Sequence, residues 1–418
     1  MRRLAVRLCP LVLAVGALVV ADTSTPSANA GGDVTCGGRA ATIVGTARTD
    51  RLTGTEGDDV IVGLGGDDVL RGGGGDDVLC GGRGADKLVG GDGADELRGG
   101  LSRVSRGDET VYYRDQLVGG AGDDVLVPGY DGHSHDSRWD LLDFSDAPGP
   151  IVADVGADTV TGDGDDVVIG DHYAVFGSRY DDTLIGDDGE DELYGWDGAD
   201  ELRGGAGDDE LRDSGTYPRA GTAPADDVLD GGAGADLLYV EDGRDQVHGR
   251  GGDDDIYSFS DAGTRLWAGP GDDRLDAVLV LADDTQVVDA GRGDDEVSVL
   301  AAYVVDGTRV YPRTVIDLAA GTAQVPAYDL AIRFSGADSL QSYLPALTWS
   351  GTEGRDTLDA EVALDPHSAR LVADGRGGND RIAGTQHADR IDGGAGWDRA
   401  DGQGGVDTCI GVEVERRC

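Results

Sequence analysis

Gly72-Gly73-Gly74-Gly75-Asp76-Asp77-Val78-Leu79-Cys80 is followed without a gap by Gly81-Gly82-Arg83-Gly84-Ala85-Asp86-Lys87-Leu88-Val89. Both are copies of one nine-residue unit, Gly-Gly-x-Gly-x-Asp-x-(aliphatic)-x, which runs six times from Gly45 to Arg98. Its sixth positions are Asp50, Asp59, Asp68, Asp77, Asp86 and Asp95; its eighth are Leu52, Ile61, Leu70, Leu79, Leu88 and Leu97. One acidic, glycine-rich loop would say little. Two columns held in phase over six units mark a repeat architecture. Each unit supplies a glycine turn, a carboxylate and an apolar residue at fixed pitch, so the chain repeats a hard oxygen ligand.

The unit resembles the RTX (repeats-in-toxin), hemolysin-type calcium-binding nonapeptide. The resemblance implies an all-β protein: a parallel β-roll, or β-solenoid, with irregular β insertions. Each nonapeptide is then a half-coil, with a turn at positions one to six and a short strand at seven to nine. Strand side chains alternate, so position eight points inward and seven and nine outward. Same-side turns lie 18 residues apart, which stacks Asp50, Asp68 and Asp86 on one edge and Asp59, Asp77 and Asp95 on the other. Bare charges at a coil spacing of about 4.8 Å repel by about 3.5 kcal/mol at an effective dielectric near 20. A buried leucine contributes about 1.5–3 kcal/mol, so repulsion rivals the core until a cation reverses its sign. Calcium suits a turn of carboxylates and carbonyls better than magnesium, which demands tight octahedral geometry. Zinc and copper prefer His and Cys, which the repeats lack at ligand positions.

The pattern divides the chain. Residues 1–30 read as a signal peptide, and 31–127 as an N-terminal cap and roll that includes a unit with Asp124 and Leu126 standing apart. Residues 128–176 read as an irregular β segment. A second block covers 177–257, with Asp182, Asp191, Asp200, Asp209, Asp236, Asp245 and Asp254 at sixth positions. Within it, residues 213–230 depart from the motif but span 18 residues, one full coil. Residues 258–374 form a degenerate β-rich stretch with units centred on Asp273, Asp295 and Asp356. A last block and cap, 375–418, carries Asp380, Asp389, Asp398 and Asp407. All the sixth-position aspartates of the blocks, with Asp124, are candidate metal ligands.

The chain of 418 residues holds 82 Asp+Glu against 34 Lys+Arg, a formal charge of -48. That charge repels nucleic acid and attracts multivalent cations. Arg2, Arg3 and Arg7, the apolar run Leu8 to Ala21 and Ala28-Asn29-Ala30 read as a secretory leader. The expected mature chain is exported and has no membrane span. Four cysteines remain beyond the leader: Cys36, Cys80, Cys409 and Cys418. Cys409 with Cys418 is the favoured pair. Cys36 with Cys80 is the remainder; their 44-residue separation does not stack on an 18-residue coil, so that bridge needs residues 33–41 to fold back as a cap. Free or intermolecular thiols are the alternative.

Other signals are weaker. His133 and His135 more often belong to a solvated loop than to a metal site. The glycine strings lack the strand–helix setting and the Lys-Ser/Thr pair of phosphate loops, and HExxH and GxSxG are absent. Trp196 and Trp397, in turns, fit either partner contact or packing. The expectation is a secreted, non-catalytic calcium-binding protein with a structural or adhesive role, and an extracellular glycan or cell-surface group as candidate partner. The rival is a calcium-stabilised enzyme, such as a polysaccharide-active one, with its site in an irregular segment.

Overall fold

The computed structural model describes residues 27–28, 34–101, 103–106, 109–112, 114–129, 139–170, 173–214, 225–241, 243–259, 263–279, 286–293, 295–301, 303–305, 308–310, 314–317, 322–325, 330–335, 339–342, 346–351, 355–359 and 370–418. Apart from Ser27–Ala28, the leader reading lies outside them, as do His133 and His135. The only helical element among the described residues is a 3-10 turn, Val155–Ala157. No helix there is long and apolar enough to cross a membrane.

The fold is a parallel β-roll. Successive half-coils add strands alternately to two sheets. In one sheet Ile43 pairs with Ile61, Ile61 with Leu79 and Leu79 with Leu97. In the other Leu52 pairs with Leu70 and Leu70 with Leu88. The eighth-position side chains Ile61, Leu70, Leu79, Leu88 and Leu97 are fully buried and join one core that reaches Ile391 and Ala400. Each rung brings one aliphatic residue from each face, so the core is long and narrow. This places its stability in contacts between neighbouring coils.

The unit Gly119–Val127 does not stand apart. Leu126 pairs with Leu97, and Leu117 with Leu88. The 29-residue step between these coils, against the usual 18, accommodates the hairpin Arg103–Arg106 and Glu109–Tyr112. The segment 128–176 likewise continues the second sheet, through Leu142 and then Val175. In the first sheet it inserts an antiparallel excursion. Val152–Asp154, Thr159–Thr161 and Asp165–Val168 lie side by side. The last of them pairs back onto Val125–Val127 and the first pairs forward onto Thr183–Ile185. The same device recurs with Thr314–Asp317, Thr322–Val325 and Leu330–Ser335, set between Gln286–Arg292 and Ala346–Ser350. The chain doubles back inside a parallel ladder without breaking it.

Residues 213–230 are not one extra coil. Leu202 pairs with Leu229 and Leu211 with Leu238, both 27 residues apart. A single turn is therefore nine residues longer than its neighbours. Because nine is also the repeat length, the insertion leaves the sequence phase intact and reads as a coil.

Both disulfides form, Cys36–Cys80 and Cys409–Cys418. Val34–Cys36 and Arg39–Ala40 make the fold-back. The hairpin rests on the outer face of the roll, where Cys36 packs with Val60, Val62, Val78 and Cys80. These are seventh and ninth positions, made apolar where the hairpin covers them. At the other end Ala400 pairs with Glu415, an exposed charged residue in the aliphatic column. A charge there discourages a further strand from adding to the open edge.

Candidate metal-binding turns

Each turn is built around its sixth-position aspartate, and Asp77 shows the design. Its Oδ1 accepts the backbone N–H of Asp59, one coil back, at 2.7 Å. Its Oδ2 is buried and meets no donor. The space that a Cβ on Gly72 would fill is bordered by this Oδ2 and by the Gly90 carbonyl. Gly63 and Gly81 face the equivalent pairs, Asp68 Oδ2 with the Gly81 carbonyl and Asp86 Oδ2 with the Gly99 carbonyl. The first glycine of the unit thus leaves room beside two negative oxygens.

The N–H to Oδ1 bond links the aspartates into columns. Asp50, Asp68 and Asp86 form one edge, and Asp59, Asp77 and Asp95 the other. The columns also take in aspartates that the repeat motif does not mark. Asp115 and Asp140 follow Asp86, Asp166 follows Asp124, and Asp227 stands between Asp200 and Asp245. None of the four has the full glycine string before it. The aspartate two residues before a buried aliphatic or Val was the available signal. Asp273 and Asp295 continue the column from Asp254, and Asp356 bonds Asp380. A second, exposed column was also missed: Asp58 accepts from Asp76 N–H and Asp67 from Ala85 N–H. Its signature is the Asp-Asp doublet.

The sixth-position carboxylates fall into two classes, divided by the residue at position two. In the open class Oδ2 is buried without a donor: Asp68, Asp77, Asp86, Asp95, Asp124, Asp200, Asp209, Asp236, Asp254, Asp380, Asp398 and Asp407 among the predicted ligands, with Asp166 and Asp273 added. Position two there is left-handed. It is usually glycine, as in Gly73 (φ 120°), and otherwise Leu64 (77°), Trp196 (87°), Arg250 (82°), Arg376 (64°) or Gln403 (63°). Left-handed backbone is costly for a residue with a Cβ, so its recurrence at this one position shows that the turn geometry demands it.

In the closed class position two is Thr, Ser or Asp, and its N–H turns inward. Thr46 donates N–H and hydroxyl to Asp50 Oδ2 at 2.6 and 2.8 Å, and Thr55 does so to Asp59 at 2.8 and 2.9 Å. Ser178 closes Asp182 with its N–H and hydroxyl. Asp187 N–H reaches Asp191 at 2.8 Å, and Thr385 N–H reaches Asp389 at 2.6 Å. Asp50, Asp59, Asp182 and Asp191 open the first and second blocks. Five predicted ligands therefore already have internal donors on Oδ2. Asp245 differs again, with Thr264 hydroxyl at 3.3 Å from its Oδ2.

Burial raises carboxyls in both classes, the closed Asp182 and Asp389 among them. Burial, with neighbouring carboxylates adding to it, pushes Asp86 and Asp254 up to about 7 and Asp124, Asp200 and Asp209 to about 8. Asp59 moves the other way, held below its ordinary value chiefly by the Thr55 hydroxyl. A buried carboxylate without a donor is costly to ionise. The open turns supply oxygen atoms alone in a backbone cradle, the donor set that calcium takes.

A parallel two-sheet roll whose turns carry such unpartnered oxygens is a cation-binding repeat fold. The family model described as RTX calcium-binding nonapeptide repeat (four copies) matches residues 44–79, 81–102, 111–129, 176–211, 223–256 and 374–409. Several copies of the RTX calcium-binding repeat therefore run along the chain, and they support a calcium-binding repeat protein. The matched stretches include Asp115 and Asp227 as well as the motif aspartates. No curated protein matches the chain.

Trp196 serves packing: it lies on Phe176, ring centroids 5.7 Å apart, beside Tyr194. Trp397 is 60% exposed.

Proposed function

We propose that this is an exported scaffold whose roll folds as calcium loads the open turns. The observation that carries the reading is the row of buried Oδ2 atoms without a hydrogen-bond donor, several of them facing a carbonyl of the next coil across the first glycine. Asp77, Asp86, Asp200, Asp209 and their open counterparts would hold calcium, which supplies the positive charge that these turns lack. Asp50, Asp59, Asp182, Asp191 and Asp389 stay closed by their own position-two donors and need no ion. Extracellular modules of this type bind at about 10⁻⁴–10⁻³ M, so the sites fill after export. The role is structural or adhesive and non-catalytic, with an extracellular glycan or cell-surface group as partner.

Calcium titration of the purified protein by calorimetry, with circular dichroism and small-angle scattering in parallel, tests this. Many bound ions, a gain of β signal and a fall in radius are expected. Equal β content and radius in chelator and in about millimolar calcium at neutral pH would refute it. Calcium-dependent retention on cell-wall polysaccharide, abolished by chelator, tests the adhesive role.

A further inference from the structure

The lengthened turn contains a carboxylate that no ordinary unit has. Asp213 follows Arg212 at the first position of its half-coil, where Gly204 and Gly231 stand in neighbouring units. Allowing for the nine inserted residues, the sixth position of that half-coil is Asp227. A glycine at position one leaves space facing the carboxylate of its own unit. Here an aspartate side chain enters that space.

Carboxylate oxygens of Asp213, Asp227 and Asp245 lie within 4.8 Å of one another, and all three residues are buried. Asp213 Oδ2 accepts the Glu241 N–H at 2.6 Å, while its Oδ1 is buried without any donor. Asp213 is 4% exposed. Asp227 Oδ1 accepts Asp200 N–H at 2.7 Å, and Asp245 Oδ1 accepts Asp227 N–H at 3.1 Å. No ion pair among the described residues involves any of the three. Burial drives the Asp213 carboxyl well above its ordinary range, with the charges of Asp227, Asp245 and Glu241 adding to it. Three carboxylates buried together without a basic side chain are a costly arrangement to ionise.

We infer that Asp213, Asp227 and Asp245 form a separate divalent-cation site, fit for calcium, that fills before the ordinary turns. Those turns offer one inward carboxylate with backbone oxygens; this one offers three carboxylates. Calcium affinity rises with the number of charged ligands and the rigidity of the site. The site also lies where the roll is interrupted, so its cation ties Asp213, before the insertion, to Asp227 after it. The first ion bound would close the longest turn in the second block. The inference rests on the calcium reading above.

The test is calcium titration of the full chain and its Asp213→Asn variant by calorimetry, with terbium luminescence as a second readout. Asparagine keeps a carbonyl oxygen for Glu241 N–H but removes the charge. The expected result is the loss of one ion and of the tightest phase, the first remaining phase being weaker by roughly tenfold or more, with later phases unchanged. Asp213→Gly, which restores the ordinary unit, should behave in the same way and provides the readout if Asp213→Asn does not fold. Unchanged stoichiometry and first-phase affinity in the variants would overturn the assignment while leaving the calcium roll intact. A wild-type chain that binds no calcium would instead refute the reading on which it rests.

Discussion

The backbone N–H of Asp59 donates to Oδ1 of Asp77 across one coil, leaving Oδ2 of Asp77 buried with no donor. One oxygen of the carboxylate is spent on the backbone of the neighbouring coil; in the function proposed above, the other takes a cation. Removing the charge should therefore act oppositely in the two metal states. Asp77→Asn keeps the Oδ1 acceptor and ends the buried charge. At neutral pH in chelator it should raise thermal stability; in calcium it should lower stability by about 1–3 kcal/mol and bind one ion fewer. Paired melts with and without calcium read both signs.

Acid should substitute for calcium. Asp86 and Asp254 are raised to about 7, and Asp124, Asp200 and Asp209 to about 8, above the ordinary carboxylate value. A raised acid stabilises the fold while protonated. That contribution is complete below the unfolded value near 4 and is lost as pH climbs through 7 to 8. Circular dichroism in chelator should show β structure at about pH 4–5 that melts towards pH 8, and calcium should restore it there. A chelated protein that gains β structure as pH rises would contradict this.

The closed turns should behave as metal-independent staples. Thr55→Gly removes the hydroxyl bonded to Asp59 Oδ2 at 2.9 Å. In chelator at acid pH, where the roll persists, it should cost about 1 kcal/mol. In calcium the loss should shrink as the turn becomes able to take an ion. A melting series in both conditions distinguishes this from a plain loss of packing, which would be equal in the two.

Leu79 is fully buried between Ile61 and Leu97. Leu79→Ala should cost about 2–5 kcal/mol. Because each coil touches mainly its neighbours, hydrogen exchange should quicken at Val60–Val62 and Glu96–Leu101 and stay slow near Leu266. Uniform loss of protection along the roll would show a cooperativity that this fold does not provide.

The Cys36–Cys80 bond fastens a hairpin over Val60, Val62 and Val78. The Cys36→Ser, Cys80→Ser double variant should destabilise the first coils by about 2–4 kcal/mol. Limited proteolysis should then cut near Gly37–Gly38 first.

Much of this was legible in the residues alone. The family resemblance implied two sheets of nine-residue half-coils, and within that fold the period places Leu79 on the core face and Asp77 on one edge, stacked at 18-residue steps. The insertions hid the rest. Asp115, Asp140, Asp166 and Asp227 take part in the columns without a glycine string before them. The 27-residue step at Leu202 and Leu229 imitates an additional coil because the insert equals the period. Position two was read simply as glycine, although its φ decides whether an N–H faces the carboxylate.

The repeat, through the family it resembles, therefore determined the roll, and its phase determined the core and the acidic edges, which depend on which side chains share a face. Only the tertiary structure decided which carboxylates are open, that Asp213 joins Asp227 and Asp245, and where the cap hairpin lies. Those features depend on the direction of single peptide N–H groups and on contacts between coils, which a linear period does not encode.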